Sequence, residues 1–224
     1  MTTETTSTGP PRPFEPSAPE NRRLARLLSG LWDGRDMAHG TPATLSRWRK
    51  GVGRDHEESP FLSMEVAEVL QDRPDARGEV QAAVFHALTL YAVHQQSVAT
   101  TMHNGDNDLR PRGTSIGHAM RDLCVRRAPE GMSDPWKHND NKGVVRLMES
   151  ATTSHSVPEL VGHLRHVVSL LRKESIPLDY VRLARDIHTW SRHWRGKAAN
   201  QWAMDFYTPV NTRNDNPDTT GEEH

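Results

Sequence analysis

Three groupings in the sequence bring together side chains able to do chemistry. The first is Gly113-Thr114-Ser115-Ile116-Gly117, which matches G-x-S-x-G, the turn that presents a nucleophilic serine in α/β hydrolases. That turn works because a buried strand delivers the serine to a strained bend ahead of a helix. Here the preceding run is Asn107-Asp108-Leu109-Arg110-Pro111-Arg112, too polar to be a buried parallel strand. Ser115 reads instead as the cap of a helix whose first N–H groups are free to meet a phosphate, with Arg110 and Arg112 beside them. The second grouping is thirteen histidines. His163 and His166 are three apart and His188 and His193 five apart, and neither pair comes with an H-E-x-x-H carboxylate. The single cysteine, Cys124, leaves no cysteine cluster for structural zinc. No Walker loop or dinucleotide fingerprint is present, so no metal or organic cofactor is expected.

The third grouping is cationic. Arg165, His166, Arg172 and Lys173 fall on the polar side of one helical pattern, and Arg182, Arg185 and Arg192 recur at offsets of three and seven on the next. Two neighbouring helices with such rows would line a groove able to track a phosphodiester backbone. The net charge of -1 conceals this, because it averages three unlike segments. Residues 21–50 carry seven Lys/Arg against two acids, residues 51–109 three against ten, and residues 110–200 sixteen against nine. A chain so divided has a basic face and an acidic face. Lysine occurs only at 50, 137, 142, 173 and 197, so most cations are arginines, whose planar forks suit phosphate.

The elements that must position these residues are helices. Residues 1–20 and 208–224 are Pro/Thr- and polar-rich and are expected to be disordered. Between them Asn21 is placed to cap a first helix with Leu24, Leu27, Leu28 and Leu31 inward. A short helix follows Thr41-Pro42 with Leu45 and Trp48 inward, then helices over Phe61–Leu70 and Gly78–Gln96. Ser115 opens a helix to Arg127, and Lys142–Thr152 forms another. Ser156-Val157-Pro158-Glu159 is a capping box, with Pro158 at the first helical position of a helix striped by Leu160, Leu164, Val168 and Leu171. After Ser175-Ile176-Pro177 come a helix with Leu183, Ile187, Trp190 and Trp194 inward and a last one with Trp202 and Phe206. The last three helices are expected to pack as an antiparallel bundle. No alternating run is long enough for a sheet, so the fold class is all-α: eight to nine helices in two small lobes, residues 21–127 and 128–207.

At 224 residues the chain is long enough for a sizeable core, although its mean hydropathy is -0.75. No apolar run approaches the roughly 18 residues of a membrane span, and the first residues lack the layout of a signal peptide. With one cysteine, placed in a helical pattern as a core residue, no disulfide framework exists, and a reducing cytoplasm is the expected location.

Several of these segments, taken in order, resemble the CasB family, the small subunit of the type I-E CRISPR surveillance complex Cascade. Ile176-Pro177-Leu178-Asp179-Tyr180-Val181-Arg182-Leu183-Ala184-Arg185-Asp186-Ile187 looks like that family's hydrophobic-Leu-Asp-aromatic turn and following helix. Trp190-Ser191-Arg192-His193-Trp194 and Trp202-Ala203-Met204-Asp205-Phe206-Tyr207 are similar to its tryptophan stretch and closing aromatic patch. Upstream, Gly113–Ala119 resembles its G-x-S-hydrophobic-G-x-A segment. His163-Leu164-Arg165-His166 resembles its basic helix, and Leu45-Ser46-Arg47-Trp48-Arg49 its short basic motif. The likeness spans residues 22 to 207. It departs at Met148-Glu149-Ser150, where some relatives are basic, so no contact is expected there.

The resemblance implies a non-catalytic subunit with two small helical lobes that pairs head to tail with a second copy. Its implied partners are the other Cascade proteins, the guide CRISPR RNA, and the target and displaced DNA strands of an R-loop. Base pairing would supply sequence recognition, and this subunit an electrostatic share. The expected contacts are Arg47, Lys50, Arg112, Lys142, Arg165, His166, Arg192 and Lys197, with Arg110, Arg121, Arg182 and Arg185 in reserve. Other classes remain in view: a helical DNA-binding regulator with a recognition helix, an esterase built on Ser115, and a scaffold that touches only protein.

Overall fold

The computed structural model describes residue 14 and residues 18–71, 78–105, 114–192 and 195–209. Its organising element is the helix Glu79–His94, which is apolar on nearly every side. Its residues Ala83 through Ala92 are all buried, so neighbours must cover its whole circumference. Numbered along the chain, the helices are α1 (Pro19–Ser29), α2 (Thr41–Arg49), α3 (Ser63–Leu70), α4 (Glu79–His94), α5 (Ile116–Arg127), α6 (Lys142–Thr153), α7 (Val157–Lys173), α8 (Tyr180–Ser191) and α9 (Arg195–Tyr207). Helices α2, α3, α7 and α8 wrap α4, while α9 packs on α5, α6 and α8. Among the described residues the fold is all-α, with one two-stranded sheet as the exception beside a single isolated bridge, His103 to Leu178.

That exception is a hairpin pairing β1 (Trp32–Asp33) with β2 (Asp36–Met37) in antiparallel register, Trp32 opposite Met37. Two residues per strand give no alternating pattern to read in a sequence. Gly34 turns the hairpin at φ +62°, and the Trp32 indole N–H donates to the Tyr91 hydroxyl of α4 at 3.0 Å.

Other differences are local. Helix α1 starts at Pro19, ahead of the expected cap at Asn21, with Glu20 wholly buried. Phe14 is buried and its N–H donates to Glu20 Oε1 at 2.8 Å, so part of the segment expected to be disordered belongs to the fold. A 3-10 turn, Pro60–Leu62, precedes α3. Pro158 is the second helical residue of α7; Ser156 Oγ accepts the Glu159 N–H, and Glu159 answers the N–H of His155. The last three helices do not make a bundle of their own. Helix α7 packs chiefly on α4 and α6, α8 on α4 and α9, and α9 on α5, because the all-round apolar α4 draws α7 and α8 to itself. Buried side chains from both sides of residue 127 share one core, including Trp48, Tyr91, Tyr180 and Trp202.

Candidate nucleic-acid interface

Ser115 does cap α5: its hydroxyl accepts the His118 N–H at 3.2 Å. It also donates to Asp205 Oδ2 of α9 at 2.5 Å. Asp205 further accepts from Arg182 of α8 at 3.0 Å and from Gln201 at 2.8 Å. The place beside the first turn of α5 that the sequence offered to a phosphate is thus taken by the protein's own carboxylate. Gly117 explains how α9 comes so close: a Cβ there would lie 2.2 Å from the Trp202 carbonyl oxygen and 2.7 Å from Asp205 Cβ.

The same junction contains serine, histidine and aspartate without forming a relay. A nucleophilic serine needs an imidazole with one nitrogen toward the hydroxyl and the other toward the carboxylate. Here His118 Nδ1 faces both Ser115 Oγ, at 3.1 Å, and Asp205 Oδ2, at 3.6 Å. Ser115 is also only 1% exposed, out of reach of an acyl substrate. Ser115 and Gly117 serve to join α5 to α9, and Asp205 is the partner that the local sequence pattern does not reveal. Cys124 is buried, and burial pushes its thiol up to about 12.

Several arginines of the basic rows hold the fold together. Arg182 is bound to Asp205, and Arg185 approaches Asp186 at 3.7 Å, so two of the three arginines of the row expected there, Arg192 being the third, are engaged within the protein. Arg47 pairs with the buried Glu65, which also accepts from the Trp48 indole. Arg172 of α7 donates to the Val93 carbonyl at 3.4 Å and to Gln96 at 3.0 Å, and Arg49 of α2 reaches the Ala92 carbonyl at 3.5 Å. Both therefore sit at the C-terminal end of α4, where cations complement the helix dipole. Arg121 is half-buried beside Asp122. Arg110 and Arg112 lie outside the described residues.

The remaining cations are differently placed. Lys142 and Arg146 on α6, and Arg165, His166 and Lys173 on α7, are exposed, and among the described residues none makes an ion pair. Helices α6 and α7 pack together and are joined only by residues 154–156, which makes them antiparallel. At the helical rise, Arg146 stands about 10 Å and Arg165 about 12 Å from that turn, at the same level. Arg195 donates to the His155 carbonyl at 3.4 Å, which brings the start of α9, with the exposed Lys197, to the turn end of this hairpin. Arg192, exposed and extended just past α8, precedes it by a few residues. Lys50 is exposed at the end of α2, whose main packing partners are α4 and the turn before α3, so it and Arg47 stand apart from this group. Arg146 was missed in the sequence, although its place four residues after Lys142 on one helix face was a usable signal.

Several solved structures share this fold. CasB from Thermobifida fusca superposes with a TM-score of 0.61 at 25% identity, covering 84% of this chain and 95% of that one. A Cse2-family CRISPR-associated protein from Thermus thermophilus gives 0.58 at 17% identity, over 84% and 95%. CasB from M. ruber gives 0.55 at 21%, over 84% and 92%. No curated protein sequence matches this chain. The model of the family described as CRISPR-associated protein Cse2 matches residues 44–207, from α2 to the end of α9, and the chain therefore belongs to the Cse2 family.

Proposed function

We propose that this chain is the small, non-catalytic subunit of a type I-E Cascade complex, holding nucleic acid by its backbone and without regard to sequence. The observation that carries the reading is the set of exposed cations on the α6–α7 hairpin and at the start of α9 that make no ion pair among the described residues, in a member of a CRISPR-associated family. Cations left unpaired on a surface are available to displace the counterions condensed on a phosphate backbone. Lys142, Arg146, Arg165, His166 and Lys173 form the main row, with Arg192 and Lys197 extending it. Lys50 and Arg112 are secondary contacts, and Arg47 contributes only to the extent that it leaves Glu65. The partners are the other Cascade proteins, guide RNA with the paired target strand, the displaced strand, and a second copy arranged head to tail. The subunit's part is to stabilise the R-loop, while base pairing selects the target.

Fluorescence anisotropy of labelled single-stranded DNA with the purified chain, across a salt series, tests this. Sequence-blind binding that falls steeply with salt is expected. Binding that distinguishes one duplex sequence from random DNA would favour a helical regulator instead. No binding at low salt, either alone or with the other Cascade subunits, would leave a protein-only scaffold.

A further inference from the structure

The end of α9 presents apolar surface beside the cationic hairpin. Tyr207 is 39% exposed and Met204, one turn earlier, 61%. The Tyr207 ring is held by two aromatic neighbours that stand across it rather than flat upon it: Trp136 at 5.7 Å and 90°, and Phe206 at 4.8 Å and 77°. Edge-on packing fixes a ring without covering it by a parallel partner. Helix α6 packs on α9 as well as α7, so the helix that ends in this ring lies against the one that carries Lys142 and Arg146. The link between them is Glu149, one turn beyond Arg146; burial first, then the charge of Glu149, pushes the Tyr207 hydroxyl above its ordinary range.

That carboxylate bears on the choice of occupant. A phosphate placed against Tyr207 would be repelled by Glu149, whereas an uncharged planar group would not. One turn away, Arg146 attracts the phosphate that such a group would carry on its own backbone. We infer that Tyr207, with Met204 beside it, is a stacking platform for an unpaired nucleobase whose backbone lies along α6, so that the subunit prefers single strands to duplex. Bases in a duplex are already stacked and cannot reach a ring on a helix surface, while each unpaired base offers a π-face whatever its identity. The inference rests on the backbone-binding reading and adds to it a contact with bases.

The test uses the full-length chain with two fluorescein-labelled probes, an oligo(dT) single strand and a mixed-sequence duplex of equal length. Tyr207→Ala is expected to weaken single-strand binding about tenfold or more. Duplex binding should change by less than about twofold, since phosphate contacts carry it. Tyr207→Phe should retain single-strand affinity; as it keeps the ring contacts with Trp136, it also controls for folding. Replacing Lys142, Arg146 and Arg165 by alanine should weaken both probes alike. If the wild-type chain binds both probes and Tyr207→Ala alters neither, or both equally, the platform is refuted while backbone binding stands. If the wild type binds neither, alone or with the other Cascade subunits, both readings fail. If Tyr207→Ala leaves both affinities intact but changes the sedimentation behaviour of the protein, the face is a protein contact and the platform is likewise refuted.

Discussion

Gly117 shows how much one missing methyl group can govern. A Cβ at this position would need to share space with the Trp202 carbonyl and the Asp205 side chain, both held by α9, so no flexible side chain can give way. Gly117→Ala is therefore expected to lower unfolding free energy by about 3 kcal/mol, near the top of the usual overpacking range, as read by urea denaturation. Gly143, exposed on α6 with open space around its α-carbon, is the matched control, and alanine there should be neutral or slightly stabilising. Ser115→Ala removes the cap of α5 and leaves Asp205 short of one donor, a cost of about 2 kcal/mol. A fluorophosphonate probe should leave Ser115 unlabelled, since its hydroxyl is buried and engaged. The capping role of this serine was legible in the sequence because it depends on neighbours a few residues away. Its partner Asp205 lies ninety residues on, and no local pattern could connect the two.

At the scale of the elements, α4 decides the architecture and sets a pH limit on it. Its His86 and His94 are buried, and both are held neutral. Burial first, then the neighbouring His56, lowers His86 to about 4, with Asp55 opposing. Burial lowers His94 to about 3, with Arg172 acting in the same sense and the Ile176 backbone opposing. His94 Nδ1 meets the buried Tyr180 hydroxyl at 2.8 Å, linking α4 to the first residue of α8. Between pH 6.5 and these lowered values the unfolded chain binds protons that the folded one does not, so stability falls as pH falls. Each histidine contributes about 1.4 kcal/mol per pH unit in that window. Urea midpoints should drop between pH 7 and pH 5, and His86→Gln should reduce the slope by about one proton. An unchanged slope in that variant would show that His86 is not the titrating group. The helices themselves were readable from apolar spacing and caps, as Ser115–Arg127 and Ser156–Lys173 show. Their partners were not: spacing tells which face of α7 is buried but not that α4, apolar all round, is what buries it. The same omission gave Arg182 and Arg172 to the ligand, since a polar helix face looks alike whether it meets solvent, a carboxylate or the end of another helix.

For the whole molecule, a net charge of -1 means that no long-range field of one sign draws nucleic acid in. Attraction has to be local, from the α6–α7 row, which carries the exposed acids Glu149 and Glu159, while Asp55, Glu57, Glu58 and Glu68 stand on other elements. A local row is screened within about one Debye length, so binding should depend strongly on salt and weakly on the total charge. This separates two kinds of arginine that the sequence could not. Replacing Lys142, Arg146 and Arg165 by alanine removes cations that make no ion pair among the described residues. It should leave thermal stability nearly unchanged and reduce the slope of log K against log salt by about 2 on single strands, at about 0.7 per phosphate released. Arg49→Ala with Arg172→Ala removes two donors from the C-terminal carbonyls of α4. That pair should lower stability by about 1–2 kcal/mol and leave the salt slope as in the wild type. If instead the α4-capping pair flattened the slope and the hairpin triple did not, the phosphate path would run over the α2–α4–α7 end of the molecule, and the row on α6 and α7 would be ordinary solvated surface.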